Sequence, residues 1–367
     1  MTMTVNSKAV QRLTALWALS EAGMGGFLHA VKVPFKGTLI SSVAVMIICL
    51  IAYYSERKMP AIVKAVTIVL IIKMMVSPHS PLMSCFAVGF QAVAGAVLFS
   101  VLSHFRSAAF LLGVLSLLEC ALQRILFLTI LYGNSLWDSI NIFIGYLAHQ
   151  TGIPLNYTDF SPSYLLIFGY MMVYLTVGVF VGILAGSLPK TVADAVQSTP
   201  TQPWECIGIK ETVPLSSKPR NRISLVKLAK KYGIWLLFII AILTFLAPAM
   251  GNAGRGVYVV LRTIIALLIW YFVLTPILLK CIRKKLEFKE KGYSRDIRDV
   301  LELFPCFRSY ARQLWNQSEE TKGMKWASHF IISMMVFALY FDGNANPPAG
   351  SHAAGTPEPE PTDAVLN

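Results

Sequence analysis

The sequence predicts an all-α fold, a polytopic bundle of transmembrane helices, and three observations predict it. Apolar runs of about 17–25 residues recur along the chain, each long enough to cross a hydrocarbon layer roughly 30 Å thick. Of the 367 residues, 55% are hydrophobic and 14% charged, where a soluble chain carries about one-quarter charged residues. The basic residues fall between the apolar runs, in alternate connections, which is the pattern that orients a membrane protein.

Nine spans follow from the runs, at about 10–28, 38–54, 61–76, 83–103, 108–131, 163–186, 232–250, 257–279 and 326–341. With the N-terminus cytoplasmic, the inner segments hold Lys8, Arg12, Arg57, Lys58, Arg106 and the Lys- and Arg-rich stretches 187–231 and 280–325. That places 25 of the 32 basic residues inside. The connections 29–37, 77–82 and 132–162 are then external, and the localisation implied is an integral plasma (inner) membrane.

The chain divides into four regions. Residues 1–190 form a six-span domain with short connections. Residues 191–231, with Thr199-Pro200-Thr201-Gln202-Pro203 and Ser216-Ser217-Lys218-Pro219-Arg220, read as a polar cytosolic linker. Residues 232–341 form a three-span region. Its insert carries apolar positions Ile297, Val300, Leu301, Phe304, Phe307, Tyr310, Ala311, Leu314 and Trp315 opposite Arg295, Arg298, Asp299, Arg308 and Arg312. That is an amphipathic helix over 295–318, expected to lie on the inner membrane face against anionic lipid. Residues 342–367, rich in Pro, Ala and Glu, are expected to be disordered.

Several function classes are excluded. The net charge of +13 is spread between spans rather than over one soluble face, so no nucleic-acid partner is expected. No Gly-x-x-x-x-Gly-Lys-Ser/Thr phosphate loop, His-Glu-x-x-His or Gly-x-Ser-x-Gly occurs, so none of those nucleotide, zinc or serine-hydrolase chemistries is indicated. The six cysteines have no Cys-x-x-Cys pair and read as small apolar residues. No metal or cofactor is expected. The first 28 residues do not read as a cleavable signal, because Glu21 interrupts the apolar run.

Two small-residue stripes stand out. Ala18, Ala22 and Gly26 recur every fourth residue in the first span, and Gly178, Gly182 and Gly186 in the sixth. Such stripes let helices approach closely in lipid, and internal packing is the default reading of each. The first could instead dock another membrane subunit.

Polar groups gather toward the outer end of the six-span domain: His29 and Lys32 after the first span, Lys73 in the third, His79 in the Ser77-Pro78-His79-Ser80-Pro81 turn, Gln91 in the fourth, and Glu119, Gln123 and Arg124 in the fifth. Ionisable groups inside a membrane are costly and mark pathways or sites. A binding pocket for a small anionic or strongly polar molecule is expected there, with Lys73, Arg124 and His79 as principal contacts and Gln91, Glu119 and Lys32 beside them. Lys32 and Lys73 snorkelling to headgroups, or Glu119 pairing with Gln123 or Arg124 along its own helix, would be structural alternatives. The 132–162 segment is either a lid over the pocket or a plain connection.

At this point residues 10–190 resemble the substrate-binding (S) component of an energy-coupling factor transporter. The likeness is carried by Leu16-Trp17-Ala18-Leu19-Ser20-Glu21-Ala22, Gly25-Gly26-Phe27-Leu28-His29-Ala30, Val33-Pro34-Phe35-Lys36-Gly37, the Ser-Pro-His-Ser-Pro turn, Ala87-Val88-Gly89-Phe90-Gln91-Ala92-Val93-Ala94-Gly95 and the Gly-rich sixth span. The resemblance implies an outward-open site for a vitamin-like micronutrient, a first span that docks on a membrane coupling subunit through Ala18 and Ala22, and separate cytosolic ATPase partners. The second region resembles a partial coupling (T) component, and Ala311-Arg312-Gln313 differs from that family's Ala-Arg-Gly or Ala-Arg-Ser at its last position. Arg308 and Arg312 would be its docking residues. The function expected is therefore a transport subunit and not an enzyme. An intramembrane enzyme using Glu119 or His79, or a structural membrane protein, is the alternative.

Overall fold

The computed structural model describes residues 2–24, 36–76, 82–151, 161–198, 261–317 and 324–340. Among the described residues every regular element is a helix. The first, α1 (Thr2–Leu19), runs into a π-helical turn at Ser20–Met24. Then come α2 (Lys36–Tyr54), α3 (Lys58–Val76), α4 (Leu82–Val101), α5 (Phe105–Tyr132), α6 (Asn134–Gln150) and α7 (Pro162–Ser198). Residues 261–268 are helical and pass through a second π turn, Ile269–Leu274, into α8 (Thr275–Glu302), followed by α9 (Phe304–Gln317) and α10 (Met324–Tyr340).

Five of these helices are long and apolar enough to cross a membrane: Gly37–Tyr54, Lys58–Val76, Met83–Val101, Phe105–Tyr132 and Pro162–Val196. They match the expected second to sixth spans. What they expose argues the same way. Phe86, Val93, Val97 and Val101 form an outward stripe on α4, and Leu115, Leu122, Leu126 and Ile130 do so on α5, with Val101 76% exposed. Large apolar patches of this kind are costly in water, whereas lipid tails solvate them. Hydroxyls within the helices return to the carbonyl one turn back, as Thr67 Oγ1 donates to Val63 O at 2.8 Å and Ser100 Oγ to Ala96 O at 2.6 Å. This satisfies them where no water can. The protein is a helical membrane protein.

Several expectations are revised. The first span is described as far as Met24, and the span at 232–250 lies outside the described residues, as do most of the polar linker and the tail. The eighth span is described from residue 261, and the ninth appears as a shorter apolar stretch, Ser328–Tyr340, in α10. Helix α7 does not stop at Leu188-Pro189 but continues to Ser198, so the first residues expected in the linker are helical. One missing N–H at Pro189 removes one hydrogen bond, which the helix tolerates.

The connection 132–162 contains α6, a helix the sequence reading missed. Asn134, Asp138, Asn141 and Gly145 dilute its hydropathy. The signal lay in Leu136, Ile140, Phe143, Ile144 and Leu147, which keep a helical period. Gly133 joins α5 to α6 at φ +70°, a left-handed conformation that glycine adopts without strain.

The helices within residues 2–198 and those within residues 261–340 share one hydrophobic core. A single buried cluster joins Leu13, Trp17 and Ala18 of α1 to Ile47, Ile72 and Leu112, and also to Val300, Phe307 and Ala338. Helix α1 lies against α2 and α3 and also against α10, while α8 packs on α3 and α1. The amphipathic stripe is real but split by a break at Leu303, and its partner is this core rather than lipid. Ile297, Val300, Phe304, Phe307 and Tyr310 are buried, whereas Trp315 stays exposed. Tyr310 stacks on Phe337 of α10 with centroids 4.3 Å apart. Protein apolar surface within reach captures the stripe.

Cys49, Cys85 and Cys120 are free thiols, but Cys306 is disulfide-bonded, so the reading of all six cysteines as simple packing residues fails there.

At the end of the bundle where α1 begins, α8 is tied to the first region by polar contacts. Lys64 Nζ meets Asp296 Oδ1 at 2.9 Å, and Gln11 Nε2 donates to Asp299 Oδ2 at 3.1 Å. They border a cavity of about 490 Å³ lined by α1, the α2–α3 turn and α8. The Lys64 and Asp296 side chains are 47% and 33% exposed, so water and salt screen them. Asp296→Asn is expected to lower stability by less than about 1 kcal/mol, read as a small shift in thermal unfolding of the detergent-solubilised protein.

Candidate functional site

A charged pair lies in the interior of the bundle, toward the end away from the α1 start. Lys73 sits three residues before the end of α3, about 4–5 Å along the axis from that terminus. Its Nζ donates to Glu21 Oε2 at 2.6 Å and to Ser84 Oγ of α4 at 2.6 Å. The Lys73 and Glu21 side chains are only 3% and 4% exposed. The π turn at Ser20–Met24 carries Glu21. Turns of this kind are rare and cluster at functional positions. The buried indole N–H of Trp17 lies beside the same carboxylate.

A second polar cluster adjoins the first. Gln91 Nε2 of α4 donates to Ser41 Oγ of α2 at 2.9 Å, and Ser41 Oγ lies 3.1 Å from Cys120 Sγ of α5. Glu119 stands beside the Cys120 thiol, and the Glu21 carboxylate is near enough to act on that thiol electrostatically. The clusters therefore form one polar region spanning α1 to α5. Within it Gln91 Oε1, Ser116 Oγ and Thr38 Oγ1 are enclosed without a hydrogen-bond partner among the described residues, and the enclosed Glu119 carboxylate has only the Cys120 thiol beside it.

The expected site residues divide accordingly. Gln91 and Glu119 meet around Ser41 and Cys120, and Lys73 joins the region only through Glu21. Lys73, however, is not an uncompensated cation, because Glu21, which the sequence reading took only as a break in an apolar run, neutralises it. An acidic residue two spans earlier at matching depth was the signal. Glu119 is not paired with Gln123, whose Nε2 donates to Met83 O at 3.0 Å. Arg124 is exposed and interacts with Tyr170 of α7; it lies five positions after Glu119, about 140° round the helix and so on a different face of α5. Lys32 and His79 lie outside the described residues.

The docking residues are also placed. Ala18 is fully buried within the chain, so its small face serves an internal contact. Ala22 is half-buried, and Gly26 lies outside the described residues. Arg308 and Arg312 are exposed on α9. The second stripe packs internally: Gly178, Gly182 and Gly186 face α5 around Gly113 and Arg106.

The fold and the site define a polytopic helical membrane protein with an ion pair and a set of unmatched oxygens in its interior. Comparisons with protein-family models, with curated proteins and with solved structures find no match to the chain.

Proposed function

We propose that this chain is a membrane transport subunit that binds a small polar solute where α1 to α5 converge. The observation that carries the reading is the buried Glu21–Lys73–Ser84 cluster and its continuity with Gln91 and Glu119. Charged groups inside a membrane are expensive to keep and characteristically serve a pathway or a ligand. Small-molecule sites combine apolar walls with a few such placed polar groups.

The balance of charge adjusts the expected substrate. Glu21 matches Lys73, and Arg124 faces α7, so an anionic solute has no spare buried cation to meet among the described residues. Unmatched carboxylate and amide oxygens favour a solute rich in hydrogen-bond donors, such as an amine-, amide- or hydroxyl-bearing vitamin-like molecule. A cytoplasmic N-terminus follows from the distribution of Lys and Arg. Uptake driven by separate ATPase chains rests on the sequence resemblance and on the lack of a phosphate loop in the sequence.

The test is ligand-dependent thermal stabilisation of the purified protein, screened against water-soluble vitamins, small amides and amino compounds. At least one should raise Tm by several degrees, and the charge-neutral double variant Glu21→Gln/Lys73→Met should lose that response while remaining folded. A double variant that responds like the wild type, or a panel with no active member, overturns the reading.

A further inference from the structure

We infer that the oxygens around Glu119 form a site for a hard monovalent cation of the sodium type. Three enclosed oxygens lack a hydrogen-bond partner among the described residues, Gln91 Oε1, Ser116 Oγ and Thr38 Oγ1, and the part-buried Glu119 carboxylate has only the Cys120 thiol against it. Gln91, Ser116 and Thr38 are each more than nine-tenths buried.

Contacts and helix geometry bring these groups toward one place. Gln91 and Cys120 both meet the Ser41 hydroxyl, at 2.9 and 3.1 Å, and Glu119 stands beside Cys120. Thr38 precedes Ser41 by one turn on the same face of α2, and Ser116 precedes Glu119 and Cys120 by one turn on α5. The Gln91 amide is oriented by its own donation to Ser41, which leaves its carbonyl oxygen as the unmatched end.

Charge and ligand chemistry then select the occupant. A part-buried carboxylate with only a thiol beside it carries a desolvation cost, and one positive charge would offset it. The neighbouring charges do not supply that charge. Lys73 is held by Glu21 and Ser84, and Arg124 turns to Tyr170. Glu21, the other carboxylate acting on this region, already has Lys73 as its partner. An all-oxygen set suits hard cations, and divalent ions usually draw on more than one carboxylate. Among the described residues no group of three or more His, Cys, Asp or Glu could hold a metal ion. One carboxylate with neutral amide and hydroxyl oxygens fits a single positive charge. Depth fits too, since coupling cations of membrane transporters bind between helices within the bilayer. The site uses the Gln91 and Glu119 oxygens on which the solute reading also draws, so the inference rests on that reading, with cation and solute meeting at one polar region, and sodium binding is measured without solute.

Purified protein at constant ionic strength and pH is to be unfolded thermally in sodium chloride and in choline chloride, with retention of radioactive sodium measured by scintillation proximity. Sodium is expected to raise Tm by roughly 5 °C over choline and to be retained in saturable fashion. Glu119→Gln, which keeps the shape of the side chain, should abolish both effects, and Ser116→Ala should weaken the apparent affinity several-fold. Equal stability in the two salts with no retained sodium overturns the site. So does a sodium response unchanged in Glu119→Gln, or a dependence on pH alone, which would indicate a protonated carboxyl. Loss of sodium binding with solute binding intact would refute this inference and leave the transport proposal standing.

Discussion

Lys73→Ala is expected to destabilise the folded protein by about 3–5 kcal/mol, because it strands the Glu21 carboxylate in the interior. The 2.6 Å ion pair has side chains 3% and 4% exposed, so solvent screening is minimal and the stranded charge cannot hydrate. Ser84 would lose its bond to the ammonium at the same time. Glu21→Ala should cost a comparable amount by leaving the ammonium unmatched. The double variant Glu21→Gln/Lys73→Met removes both charges together and should recover most of the loss, since a well-packed neutral replacement of a buried pair is often neutral or favourable. Thermal unfolding in detergent of the wild type, Glu21→Gln, Lys73→Met and their combination closes a double-mutant cycle and reads the coupling. Additive single effects would show that the pair is not energetically linked.

Gly182→Ala and Gly113→Ala are expected to be the most damaging single-methyl additions in the bundle. A Cβ at Gly113 would lie 2.6 Å from Gly182 Cα, and one at Gly182 would lie 2.7 Å from Phe110 O. The obstructing atoms are backbone and cannot rotate away, so α5 and α7 must separate. Overpacking of this kind costs about 1–3 kcal/mol, occasionally more. The loss extends along the interface because close approach is itself the source of helix attraction in lipid. Gly186 supplies the control: its Cβ would meet Arg106 Cα at an ordinary 3.5 Å, and Gly186→Ala should leave Tm nearly unchanged. Similar losses at Gly182 and Gly186 would refute the close-contact account.

Local patterns fared well where one face or one run carries the information. The run from Lys58 to Val76 and the run from Leu82 to Val101 are continuous enough that no tertiary contact is needed to recognise them. The stripe from Ile297 to Tyr310 was likewise legible from its period. What faces that stripe was not. The core formed by α1 and α10 competes with lipid for it, and only the packed chain shows which prevails. Helix α6 was hidden because its polar residues lower mean hydropathy without interrupting its period.

The site was legible by depth but not by partner. Lys73, Gln91 and Glu119 could be placed near one level from their positions in three spans. Glu21 lies 52 residues before Lys73, and nothing local to either residue specifies their pairing. Arg124 shows the converse, because five steps along the helix from Glu119 turn a side chain by about 140° and send it to Tyr170 instead of the polar region.

By itself, then, the sequence determined that the chain is a set of lipid-compatible helices, since hydropathy and helical period are properties of consecutive residues. The tertiary structure decided which charges neutralise one another, which glycines touch backbone to backbone, and which oxygens remain unmatched. Those outcomes depend on distances between helices far apart in the chain, and only packing sets such distances.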